Sequence, residues 1–130
     1  MPATIKTDAI LVYIHGGAYI LGGPAGYHGI SGNFASLLGA KVFMPDNRLA
    51  PEHPFPAAID DSLAFYKGLL DQGYAANKTL IAGESAGGAM TVTVMVAARN
   101  AGLPLPAGGV SISPWANLEH TGISKGHLEP

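Results

Sequence analysis

Residues 83–87 read Gly-Glu-Ser-Ala-Gly. A serine hydroxyl becomes a nucleophile for acyl transfer when a base takes its proton. Small residues two before and two after Ser85 would let the chain turn sharply enough to lift the hydroxyl above a sheet. The amide of Ala86, at the start of a following helix, would then point toward a developing oxyanion. A glycine-rich turn with a helix-capping serine would use the same five residues without any chemistry. A second cluster, His15-Gly16-Gly17-Ala18-Tyr19, follows an apolar run. Its adjacent glycines let backbone amides approach a ligand closely, as an oxyanion hole requires, and an ordinary tight turn is the plain alternative. The two clusters are complementary: one supplies a nucleophile and one amide, the other further amides.

A nucleophilic serine needs a base, and the base needs a third group to orient it. After Ser85 the only acids are Glu119 and Glu129, and the only histidines are His120 and His127. Elsewhere, Arg48 and Glu52 are expected to pair across the proline-rich loop, while Asp60 and Asp61 read as the solvent face of a helix. His28, His53 and the other histidines show no H-E-x-x-H or other compact metal spacing, and no phosphate-cradling glycine motif occurs. Neither a metal nor a cofactor is expected.

These groups need a scaffold. Apolar runs at 9–14, 41–44, 79–82 and 109–112 are bounded by Gly, Pro, Asp or Asn, as buried strands are. Segments 27–38, 56–71 and 85–101 between them are long enough for helices. The middle one is clearest, with Ile59, Leu63, Tyr66 and Leu70 at helical spacing, Pro56 suited to the first turn and Gly73 just beyond. Thr91-Val92-Thr93-Val94 alternates as a strand would, so length and the stop at residues 99–102 decide for a helix there. The alternation of strand and helix predicts an α/β protein with a mainly parallel sheet of about four strands, covered on both faces by crossover helices.

Composition limits the rest. The 130 residues allow one domain or a piece of one, and 32 of them are Leu, Ile, Val or Phe, enough for a core. A net charge of −2 gives nothing to drive binding to nucleic acid. Without cysteine there is no disulfide framework or thiolate chemistry, which fits a cytoplasmic protein. No secretory signal or membrane-span pattern is visible, and a soluble protein is expected.

The blocks HGGAYILG, DNRLAPEHPFPAAIDD, GESAGG and SPWANLEHTG, in this order over about residues 9–122, resemble the hormone-sensitive-lipase-like, family IV bacterial esterases of the α/β-hydrolase fold. The resemblance implies Ser85 as nucleophile, the amides of Gly16, Gly17 and Ala86 as oxyanion hole, His15 as support of that loop, and small acyl esters as substrates. It also implies a catalytic Asp and His after later strands, and a cap over the pocket before the first one. On that reading residues 1–130 are a partial α/β-hydrolase domain, with a sheet edge through which the chain would self-associate. The rival expectation is a non-catalytic binding or interaction domain on the same scaffold. Two positions depart from the family pattern: Asn47 stands where Tyr is usual between Asp and Arg, and Glu84 where Asp or Thr commonly precedes the nucleophile.

Overall fold

The computed structural model describes residues 4–119. Four strands, β1 (Ile10–Ile14), β2 (Lys41–Phe43), β3 (Thr79–Glu84) and β4 (Gly108–Ile112), form one parallel sheet in the order β2-β1-β3-β4. Three helices connect them: α1 (His28–Leu38), α2 (Ala57–Asp71) and α3 (Ala86–Asn100). Every residue of β1 is buried, as a central strand covered on both faces requires. Alternate side chains divide between two cores. Ile10, Val12, Ile14 and Ile81 pack with Tyr66 and Leu69 of α2 and Met90, Val94 and Ala98 of α3. Leu11, Tyr13 and Ala82 pack on the other face, against Phe34 of α1, Tyr27, Val42 and Met44.

The four strands and three helices lie where periodicity places them, with ends shifted by a few residues. Pro56 is the cap before α2 rather than part of its first turn, and Ser85 is the cap before α3. The β-like alternation at 91–94 gives way to helix. Thr91 and Thr93 return their hydroxyls to the carbonyls of Gly87 and Ala89, at 3.0 and 3.1 Å, which absorbs their polarity inside the turn. Met90, Thr91, Val94 and Ala98 then share the buried face.

The pairing expected between Arg48 and Glu52 does not form. Arg48 instead grips Asp61, its backbone N–H donating to Oδ2 at 2.8 Å and its Nη2 to Oδ1 at 2.8 Å. The loop after β2 runs back over α2 and brings the guanidinium to a carboxylate thirteen residues away. Asp61 is accordingly half-buried rather than on the solvent face, whereas Asp60 and Glu52 are exposed. The hydrogen bonds from Arg48 hold the Asp61 carboxyl below its ordinary value of 3.8, against a smaller opposing effect of burial. A lowered folded-state pKa stabilises above the unfolded value and is lost as pH falls through the folded one. The melting temperature of Asp61→Asn is therefore expected to lie below that of the unmodified chain at pH 7. The gap should narrow as pH drops below about 4; a gap that stays constant down to pH 2 would assign the loss to something other than this carboxylate.

β1 is the topological switch point: the chain leaves it toward β2 on one side and returns with β3 on the other. In open parallel sheets ligands bind beyond the carboxyl ends of the strands at such a point. Residues 15–19 and 84–86 emerge there. At the opposite end of the sheet lies a separate open cavity of about 570 Å³, lined among others by Lys6, Lys41, Tyr74 and Lys78.

Candidate active site

Ser85 sits between the last residue of β3 and the first of α3 with φ 54° and ψ −118°. A non-glycine residue there is strained, and such strain persists only where the surroundings fix it. Three backbone bonds do so: Ser85 N–H donates to Ile112 O at 3.1 Å, while Ser85 O accepts from Ala89 N–H at 3.1 Å and Trp115 N–H at 2.9 Å. The glycines on either side meet a second need. A Cβ on Gly87 would fall on the carbonyl oxygen of Ile14 and within 2.6 Å of that of His15; one on Gly83 would lie 2.6 Å from Ile14 O. The elbow is thus pressed against the end of β1. The Ser85 side chain makes no capping hydrogen bond to α3, so the capping role is not realised.

The loop after β1 meets this elbow through Glu84. Its Oε1 accepts the N–H of Gly16 at 2.8 Å and the hydroxyl of Tyr27 at 2.9 Å. The Gly16 amide is thus engaged by a carboxylate and braces the loop. The amides of Gly17, Ala18 and Ala86 donate to no acceptor among the described residues. Gly17 has φ 113°, and a Cβ there would collide with the carbonyl of Leu21, so this turn requires glycine. Gly17 O in turn accepts from Ile20 and Leu21 at 3.0 and 2.9 Å, closing a tight loop. Ala18 also has positive φ, 55°, and was not distinguished by sequence, because a positive φ on alanine has no compositional signature.

His15 is buried beneath that loop, and its Nδ1 lies 2.6 Å from Gly16 O. A carbonyl only accepts, so Nδ1 carries the proton. Its ring centroid is 5.4 Å from that of Tyr27. The Tyr27 hydroxyl has its pKa raised, first by burial and then by the Glu84 carboxylate that accepts its proton. Glu84 is a bracing residue that the sequence does not declare, although a carboxylate at a strand end facing glycine amides is a recognisable signal. Glu84→Ala is expected to strand two donors, at about 1–3 kcal/mol for each that stays buried, whereas Glu84→Gln keeps an acceptor and costs less. Equal losses in denaturant midpoints for the two would show that the contact contributes nothing specific.

An apolar groove of about 380 Å³ is lined by Tyr19, Phe55, Ile59, Ala89, Thr93 and Trp115 among others. The Tyr19 and Trp115 ring centroids lie 6.1 Å apart, so the two rings pack together in its wall. Trp115 is tied by its backbone to Ser85 O, so one wall of the groove is fixed to the elbow. Ser85 Oγ has no hydrogen-bond partner among the described residues. Glu119 is exposed, with its N–H on Asn117 Oδ1, and His120, His127 and Glu129 lie outside the described residues. No described helix is long and apolar enough to cross a membrane.

The α/β-hydrolase-fold family model matches residues 11–128. An acetyl-hydrolase of Streptomyces hygroscopicus is 45% identical over 114 residues, which are 88% of this chain and 38% of that protein. The hormone-sensitive lipase of Mus musculus is 30% identical over 118 residues, 88% of this chain and 16% of that protein. Among solved structures, EstE5 soaked with p-nitrophenyl butyrate superposes with a TM-score of 0.91 at 40% identity, covering 96% of this chain and 42% of that one. An esterase from the bacterial hormone-sensitive lipase family gives a TM-score of 0.91 at 38% identity, covering 98% and 44%. The chain thus spans well under half the length of these proteins.

Proposed function

Because this chain belongs to the hormone-sensitive-lipase-like esterases of the α/β-hydrolase fold, we propose that it carries the nucleophile and oxyanion hole of a serine carboxylesterase acting on small acyl esters. Ser85, freed of its proton by a base, attacks the ester carbonyl and expels the alcohol; water then releases the acid from the acyl-serine. The amides of Gly17, Ala18 and Ala86 receive the oxyanion of each tetrahedral intermediate. Glu84 and His15 hold the loop that presents the first two. The names of the relatives, acetyl-hydrolase and carboxylesterase among them, support the reaction class. The observation that carries the reading is the strained, uncapped Ser85 beside three uncommitted amides.

No base is assigned among the described residues. The test is labelling by an alkyl fluorophosphonate, in a form of the protein that also supplies the base, followed by peptide mapping. Label is expected on Ser85. Label on Ser111, whose Oγ is already donated to Gly88 O, or on Ser113 would overturn the assignment, and absence of label would favour the non-catalytic binding domain.

A further inference from the structure

Residues 111–115, the end of β4 and the turn after it, are wrapped around the elbow. Ile112 O accepts the N–H of Ser85 at 3.1 Å, and the N–H of Trp115 donates to Ser85 O at 2.9 Å, so this segment holds both sides of one residue. Ser111 Oγ donates to Gly88 O at 2.7 Å. The approach is close: a Cβ on Gly88 would lie 3.0 Å from Ile112 O and 3.2 Å from Pro114 Cα. The half-buried indole of Trp115 then packs with the ring of Tyr19, centroids 6.1 Å apart and planes at 32°, within the range of attractive aromatic pairs. Tyr19 belongs to the other cluster. It ends the 15–19 loop at φ 66°, and its carbonyl accepts the N–H of Ala50 at 2.8 Å. Trp115 therefore touches both clusters, the elbow by its backbone and the loop by its ring.

We propose that Trp115 is a positioning residue: its backbone is fixed to Ser85, and its indole, acting through Tyr19, sets where the loop bearing the Gly17 and Ala18 amides stands relative to the elbow. The loop needs such a tie. Gly17, Ala18 and Tyr19 all have positive φ, 113°, 55° and 66°, and a run of this kind persists only where the surroundings fix it. Glu84 holds the run at its start, through the Gly16 amide. Held there alone, the loop could pivot about that bond, and the indole on Tyr19 holds the other end. The distances matter because a misplacement of about 1 Å costs on the order of 10² in rate. Both rings also line the apolar groove, so direct contact with substrate is the competing role, and the two roles differ in what they do to kcat and KM. The catalytic meaning of the tie rests on the acyl-transfer reading of Ser85; the tie itself does not.

The first arm of the test uses no substrate. Amide hydrogen exchange is followed at Ala50, whose N–H bonds Tyr19 O, and at Ile20 and Leu21, whose N–H groups bond Gly17 O. Trp115→Ala keeps the backbone bond to Ser85 and removes the ring. Exchange at these amides is expected to speed up roughly 2–10-fold, the worth of an aromatic pair, while Tyr74, bonded to Leu69 O at the opposite end of the sheet, stays unchanged. The second arm uses a form of the protein that supplies the base. There kcat in Trp115→Ala should fall by about 10²-fold, equally for acetyl and butyryl aryl esters, with KM little changed and part of the rate restored in Trp115→Phe. Tyr19→Ala should reproduce the loss, and the double variant should be no slower than either single one. Should Trp115→Ala fail to fold, Trp115→Phe and Tyr19→Ala carry both arms. Unchanged exchange at Ala50, Ile20 and Leu21 would overturn the tie. Losses that multiply in the double variant, or that fall on KM and vary with acyl length, would overturn the positioning role and make the rings substrate contacts. Faster exchange in a protein without ester turnover would overturn the reading of Ser85 and leave the tie standing.

Discussion

Turnover of a short-chain aryl ester is expected to fall by a factor on the order of 10⁶ when Ser85 is replaced by alanine, in a form of the protein that supplies the base. The size follows from losing the covalent route altogether, with the oxyanion amides left to act on an attacking water. Stability should move in an uncorrelated way. A helix-capping serine loses about 0.5–2 kcal/mol on truncation to alanine. Ser85 makes no capping bond, so Ser85→Ala should stay within about 0.5 kcal/mol of the parent. Ser85→Gly should be more stable than the parent by about 1 kcal/mol. It relieves a backbone held at φ 54°, a strain of roughly 1–3 kcal/mol, against roughly 0.5–1 kcal/mol of added chain entropy in the unfolded state. Denaturant midpoints measured beside the ester assay separate the two effects. If both variants were destabilised and still hydrolysed esters, Ser85 would be a structural residue.

Gly87→Ala carries the largest expected loss of stability, about 3–5 kcal/mol, which is a large part of the margin of an ordinary domain. The added methyl would meet the carbonyl oxygens of Ile14 and His15, and backbone at the end of a buried strand has nowhere to retreat. The elbow would be pushed off β1, and the spacing between Ser85 and the Gly17 amide would open with it. Gly68→Ala on α2 is the matched control. Its new methyl meets nothing within 4 Å, and it should stabilise the helix by up to about 1 kcal/mol. Urea titration of the pair decides: Gly87→Ala within 1 kcal/mol of the parent, by the same linear extrapolation, would mean that the close approach is not required for folding.

Much of this was legible in the sequence because it depends on local rules. The strand at residues 10–14 and the helix holding Ile59, Leu63, Tyr66 and Leu70 follow from side-chain periodicity, and the sharp turn at Ser85 from the glycines that flank it. What local pattern does not reach depends on contacts between segments distant in the chain. Arg48 had Glu52 four residues away and took Asp61, because the loop folds over α2 and presents a half-buried carboxylate there. Gly16 carries the same HGG signature as Gly17, and only the arrival of Glu84 from β3 turns one amide into a brace and leaves the other open. Sequence pattern names the residue types of a site more readily than it apportions roles among neighbours.

The bond between Glu84 and the Gly16 amide joins residues 68 positions apart. Closing a loop of that length costs about 4 kcal/mol in its length-dependent part alone. That bond therefore cannot form when residues 15–19 leave the ribosome; it must wait until β3 has been synthesised and has docked beside β1. Until then the glycines of residues 16 and 17 belong to a flexible tether. Synthesis order thus makes Glu84 a timing element: the residue immediately before Ser85 is also the one whose arrival fixes the earlier loop, so the two segments take their final form together.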